Sequence, residues 1–131
     1  MNTEKVITDA FDATLPELAD VNRDHLLDGI KGDGSEMPFY SEKSVTQFGK
    51  PDGPITLFDT GSFQEQIEVT RSGNVLTTTS LDSKTEMLIN EERYNPIFGL
   101  SGQYKQKYQD LDLRPAFNQG ITAATGLKFG R

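Results

Sequence analysis

The chain has 131 residues, contains no cysteine or tryptophan, and carries a formal net charge of −7 at neutral pH. This length predicts a single domain, and the lack of cysteine excludes disulfides, thiolate catalysis and cysteine-ligated metal centres. The acidic balance opposes nucleic-acid phosphates, so we do not expect autonomous nucleic-acid binding.

The N-terminal region begins with a predicted helix. Apolar residues at helical spacing place it over residues 4–15, with Thr3 as its cap and Pro16 as its end. A short helical turn is predicted over 22–28, with Gly29 just past its end. The first residues show no signal-peptide pattern, and no apolar run in the chain is long enough to span a membrane. We therefore expect a soluble protein that is made in the cytoplasm and has no membrane partner.

The charged residues of this region predict no metal or catalytic site. Asp20, Asp24 and Asp28 repeat at helical spacing but lack the alternating ligands and the glycine of a calcium loop. We interpret them as an exposed charged face. His25 is the single histidine and stands in a polar stretch without partners for a metal site or a triad, so we predict a solvated surface side chain.

The middle of the chain predicts a short helix and then a β-hairpin. Ser41 can cap a helix that runs to Gln47 and closes before the loop at 50–54. Beyond it, strict alternation of apolar and polar residues predicts a strand over 63–70. A tight turn containing glycine joins that strand to a second one over 74–81.

The C-terminal third predicts two further helical segments. Asp82 can cap a helix over 84–92 that Pro96 stops, and Ser101 can cap the last helix. Pro115 either kinks that last helix or opens a second one, and Gly126 ends it. The predicted fold is therefore one α+β domain over residues 1–126, a small antiparallel β-sheet flanked by N-terminal and C-terminal helices.

Residues 127–131 are predicted to form a short basic tail. Residues 1–100 hold 8 basic and 18 acidic side chains, whereas 101–131 hold 5 basic and 2 acidic ones. An acidic body with a basic end favours head-to-tail contact between copies. The predicted interface residues are Leu127, Lys128, Phe129 and Arg131.

Residues 59–62, Asp-Thr-Gly-Ser, match the nucleophile signature of aspartic proteases. Retroviral-type enzymes of that class are homodimers in which each subunit gives one aspartate to a pair that shares a proton. Only 37 residues separate Asp59 from Ile97, and they would have to hold a glycine-rich flap, yet the predicted hairpin has a single glycine. We therefore interpret Asp59, Thr60, Gly61 and Phe63 as a structural corner in which Asp59 hydrogen-bonds nearby backbone, with no catalytic residue and no cofactor.

Three stretches in order, 39–41 (Phe-Tyr-Ser), 57–63 (Leu-Phe-Asp-Thr-Gly-Ser-Phe) and 97–101 (Ile-Phe-Gly-Leu-Ser), resemble the tail-completion or virion-morphogenesis proteins of tailed bacteriophages. The similarity covers roughly residues 5–125. It implies a non-enzymatic neck, head-tail connector or tail-completion component that forms a homo-oligomeric ring at the portal-tail junction. Its partners would be portal, connector or tail proteins, in the virion and, during assembly, in the host cytoplasm. The alternatives are a homodimeric aspartic protease that uses Asp59-Thr60-Gly61 and a soluble adaptor domain.

Overall fold

The computed structural model describes residues 2–50, 52–57 and 61–126. It has the predicted α+β fold, with a two-stranded antiparallel sheet between N-terminal and C-terminal helices. The first half contains α1 (Thr3–Ala13), α2 (Leu15–Leu27), α3 (Glu42–Phe48) and α4 (Ser62–Glu65). The second half contains β1 (Ile67–Ser72), β2 (Val75–Ser80), α5 (Thr85–Ile89), a 3-10 turn (Glu92–Tyr94), α6 (Gly102–Tyr108), a π-helical segment (Gln109–Leu113) and α7 (Arg114–Thr125).

The two N-terminal helices meet at Thr14. Asn2, and not the predicted Thr3, caps α1, because its side chain accepts a hydrogen bond from the Lys5 amide at 3.1 Å. The prediction of only a short turn over 22–28 is wrong, since α2 runs from Leu15 to Leu27. Pro16 does not terminate helical structure here. It occupies the first turn of α2, where no intrahelical partner is needed for its missing N–H.

The predicted strand over 63–70 is wrong in its first part, where α4 stands instead. Gly61 has a φ of 89°, which turns the chain into this short helix, and β1 starts only at Ile67. Arg23 of α2 stabilises the junction, since Nε donates to the Gln64 carbonyl at 2.7 Å and Nη2 donates to the Ile67 carbonyl at 3.0 Å. These bonds satisfy carbonyl groups that a continuous strand would have left to a neighbouring strand.

The hairpin itself matches its prediction. Ser72 pairs with Val75, so the loop has two residues, and Gly73 takes a φ of 60°. Positive φ at the first loop position is a conformation that glycine adopts without steric cost. Ile67 and Val69 of β1 are buried, whereas Val75, Leu76 and Thr77 of β2 are exposed.

The C-terminal helix is continuous through Pro115. Leu113 (φ −71°, ψ −50°) and Arg114 (φ −61°, ψ −45°) both keep helical dihedral angles. The π-helical segment lies immediately before the proline, where a regular α-helix would bring the ring against the carbonyl of Leu111. The wider turn therefore accommodates Pro115. As predicted, the helix ends before Gly126, which has a φ of 77°.

The core lies where α2 meets β1 and α6. Its fully buried large side chains are Leu26, Met37, Phe63, Tyr108 and His25. The Tyr108 hydroxyl lies 2.7 Å from Thr14 Oγ1, which donates in turn to the Ala10 carbonyl at 2.8 Å. This chain of hydrogen bonds ties the C-terminal helix to the joint between α1 and α2.

Candidate functional site

Gly61 and Phe63, the two residues of the predicted structural corner that the structure describes, pack into the core. Gly61 is buried, and Phe63 is 1% exposed and stacks on Phe98 with ring centroids 5.9 Å apart. The Phe63 carbonyl accepts a hydrogen bond from the Ser80 hydroxyl at 2.8 Å. Asp59 and Thr60 lie outside the described residues, as do the predicted interface residues Leu127, Lys128, Phe129 and Arg131.

His25 is a core residue, so the prediction of a solvated surface histidine is wrong. Its ring is 0% exposed and stacks on Tyr104 at a centroid distance of 3.9 Å. Nδ1 lies 3.1 Å from the Lys31 carbonyl, and because a carbonyl can only accept, Nδ1 carries the proton. Burial lowers the pKa of His25, although the Lys31 carbonyl and the nearby Asp24 and Asp28 oppose that shift.

Sequence reasoning missed the burial of His25 because it underestimated α2. In a helix that runs from Leu15 to Leu27, His25 falls on the same face as Leu18 and Asn22, which are both buried. Asp20, Asp24 and Asp28 fall on another face and are exposed, as predicted. If Pro16 is taken as a first-turn residue, a helix starting at Leu15 is predicted, and its register places His25 on the buried face.

A groove with a cavity volume of about 560 Å³ lies between α2 and α6. We call it the α2–α6 groove. Its lining residues are Val21, Asp24, Leu27, Asp28, Gln103, Tyr104 and Lys107. Because these residues come from two helices separated by more than seventy positions, no local sequence pattern indicates the groove.

The α2–α6 groove has an acidic side and an apolar floor. Asp24 of α2 and Asp28, which follows the last residue of that helix, are exposed, and the Tyr104 hydroxyl of α6 donates to the Asp28 carboxylate. Burial, followed by this hydrogen bond, raises the pKa of Tyr104. Among the described lining residues Lys107 is the single basic one, against the two carboxylates, so the groove they form carries a net negative charge.

The carboxyl group of Asp112, in the π-helical segment that follows α6, adds to the acidic charge near α2. Burial raises the pKa of the Asp112 carboxyl, and the carboxylates of Glu17 and Asp20 raise it further. Negative charge is therefore concentrated along the side where α2 faces the C-terminal helix.

Two glycines fix the chain at one end of the groove. The Gly32 backbone lies so close to the 98–99 peptide that a Cβ on Gly32 would stand 2.1 Å from the Phe98 carbonyl oxygen. The Gly99 amide donates to Asn22 Oδ1 of α2 at 2.9 Å. These contacts join the loop that leaves α2 to the segment that enters α6, and thereby hold the two walls of the α2–α6 groove.

The second surface feature is a run of exposed apolar side chains on β2 and on the segment that follows it. Val75 is 62% exposed, Leu81 65% and Met87 64%, and Leu76 and Ile89 are also exposed. Within the described residues no strand pairs with the outer edge of β2. We call residues 75–89 the exposed apolar segment.

Across residues 2–50, 52–57 and 61–126, no group of three or more histidine or acidic side chains could hold a metal ion. No described helix is both long and apolar enough to cross a bilayer. Comparison with protein-family models, curated proteins and solved structures found no match.

Proposed function

We propose that this protein is a non-enzymatic structural component of a tailed-bacteriophage virion, a neck, head-tail connector or tail-completion protein that assembles into a homo-oligomeric ring. Its surroundings would be portal, connector or tail proteins. The resemblance of residues 39–41, 57–63 and 97–101 to such proteins gives the class, and the surface of the fold supports an assembly role.

The observation that carries the proposal is the exposed apolar segment. Val75, Leu81 and Met87 are each more than 60% exposed, although each is an aliphatic or thioether side chain that favours burial. Within the part of the chain that the structure describes, the outer edge of β2 has no partner strand, and such an edge offers backbone donors and acceptors to another chain. An edge strand with adjacent apolar side chains is a surface that a neighbouring subunit covers in an assembly.

Light scattering in solution tests the ring. We expect the wild-type chain to have the mass of a closed oligomer, and electron microscopy of negatively stained particles to show rings. The double variant Val75→Asp, Leu81→Asp places two charges in the proposed interface and should reduce the mass to that of the monomer. Thr46→Asp with Gln47→Asp places the same two charges at exposed residues of α3, outside residues 75–89, so it is the matched control and should keep the oligomer. A wild-type chain that stays monomeric would overturn the ring.

The Asp59→Asn variant separates an assembly protein from an aspartic protease. A structural role requires no ionised nucleophile, so the variant should build the same oligomer and should support the formation of infectious particles. An aspartic protease would lose its activity with either carboxylate of the pair. Loss of particle maturation with an intact oligomer would therefore contradict the proposal.

A further inference from the structure

We propose that the α2–α6 groove binds residues 127–131 of a second copy of this chain, so that copies join head to tail. The inference rests on the proposed assembly function and identifies one of its contacts. The binding surface is the groove lined by Asp24, Asp28, Val21 and Leu27, and the ligand is the basic and aromatic segment Leu-Lys-Phe-Gly-Arg.

Charge and polarity are complementary between the two surfaces. The groove offers two carboxylates on α2 above apolar side chains, and the segment offers two cations, Lys128 and Arg131, that alternate with Leu127 and Phe129. Lys107 on the opposite wall repels those cations and directs them to the α2 side. A short peptide with alternating cationic and apolar residues can therefore bury its apolar side chains while its charges pair at the rim.

The groove of the same chain is out of reach of this segment. Nineteen positions of continuous helix separate Lys107, the last groove residue, from Gly126, a distance of about 28 Å at 1.5 Å per residue. The five residues from 127 to 131 extend at most about 18 Å. Residues 127–131 can therefore bind only the α2–α6 groove of another copy.

The direction of α7 increases this separation. A Cβ on Gly120 would stand 2.9 Å from Val6 Cγ1, and Ala123 and Ala124 line a cleft with Asn2. The end of α7 therefore lies beside the first turns of α1. The α2–α6 groove lies at the other end of the continuous C-terminal helix. A donor segment at one end and an acceptor groove at the other form a heterologous interface, which gives rings when the rotation closes.

Two complementary full-length variants test the contact. Asp24→Lys disables the groove and keeps the segment, whereas Lys128→Glu with Arg131→Glu disables the segment and keeps the groove. Each variant alone should have a smaller mass by light scattering than the wild type. Mixed in equal amounts, they should form a one-to-one complex that cannot grow, because one functional groove and one functional segment remain.

The control variant is Glu36→Lys, which makes the same charge change at an exposed residue outside the groove and should leave the mass unchanged. Retained helicity by circular dichroism shows that each variant is folded. Full assembly of Asp24→Lys, or a mixture of two folded variants that forms no complex, would overturn the inference.

A peptide measurement separates failure of this contact from failure of the ring. A fluorescein-labelled peptide with the sequence of residues 125–131 should bind the full chain in an anisotropy titration. Asp24→Lys should weaken binding roughly tenfold, and added salt should weaken it further. A wild-type chain that is monomeric yet binds the peptide would refute the ring and support the contact. In a wild-type ring the neighbouring copies would already occupy the grooves, whereas the Lys128→Glu, Arg131→Glu variant leaves its grooves open to the peptide. If the wild type forms a ring and this variant binds no peptide, the contact is refuted and the ring is not.

Discussion

Substitution of Gly32 by alanine should destabilise the fold strongly. The added Cβ would stand 2.1 Å from the Phe98 carbonyl oxygen, and ordinary contact begins at 3.4 Å, so the 98–99 peptide must move by about 1.3 Å. That movement would also break the bond from the Gly99 amide to Asn22, whose side chain is buried. Overpacking against backbone and a buried acceptor without its donor together predict a loss of about 4 kcal/mol.

Urea denaturation followed by circular dichroism measures this loss in the free energy of unfolding. The matched control is Gly53→Ala, because nothing lies within 4 Å of a Cβ at Gly53. The control should change stability by less than about 1 kcal/mol. A Gly32→Ala variant as stable as the Gly53→Ala control would refute the close backbone approach and the fixed α2–α6 groove that depends on it.

Three further substitutions test the core and its pH dependence. Tyr108→Phe removes the hydroxyl that bonds Thr14 and should cost about 1 kcal/mol in a urea titration. Arg23→Met leaves the Gln64 carbonyl of α4 and the Ile67 carbonyl of β1 without these donors and should cost about 2 kcal/mol, measured in the same way. His25 has a folded-state pKa below its ordinary value of 6.5, so its contribution to stability is complete above pH 6.5 and is lost as the pH falls. Stability measured from about pH 7.5 to 5 should therefore fall more steeply in the wild type than in His25→Gln, by at most about 1.4 kcal/mol per pH unit.

Residues of the same types with weaker contacts serve as controls. Tyr94→Phe removes a hydroxyl whose contact with the Arg93 guanidinium is 3.4 Å long, and it should cost less than Tyr108→Phe. Arg93→Met removes an exposed ion pair and should cost less than about 1 kcal/mol. Equal costs within the tyrosine pair or within the arginine pair would contradict the assigned hydrogen bonds. Parallel pH profiles for the wild type and His25→Gln would show that His25 has the same pKa in the folded and unfolded states, which would contradict the prediction.

Signals within a few residues of each other were sufficient to predict several elements. Ser41 accepts a hydrogen bond from the Ser44 amide and starts α3, and Gly49 ends it with a φ of 66°. Gly73 and Gly126 likewise mark the hairpin turn and the end of α7. Each of these features depends on the conformational freedom of one residue or on one local hydrogen bond, so the sequence by itself determined them and the α+β class.

The tertiary structure decided the features that depend on distant partners. Arg23 reaches carbonyl groups more than forty positions away, and that contact accompanies a helix at Ser62–Glu65 where alternation predicted a strand. His25 is buried because Tyr104, far along the chain, stacks on it. The α2–α6 groove likewise exists only because α6 packs along α2. Local propensity differs by a fraction of a kcal/mol between alternatives, whereas burial and long-range hydrogen bonds contribute several, so packing made these choices.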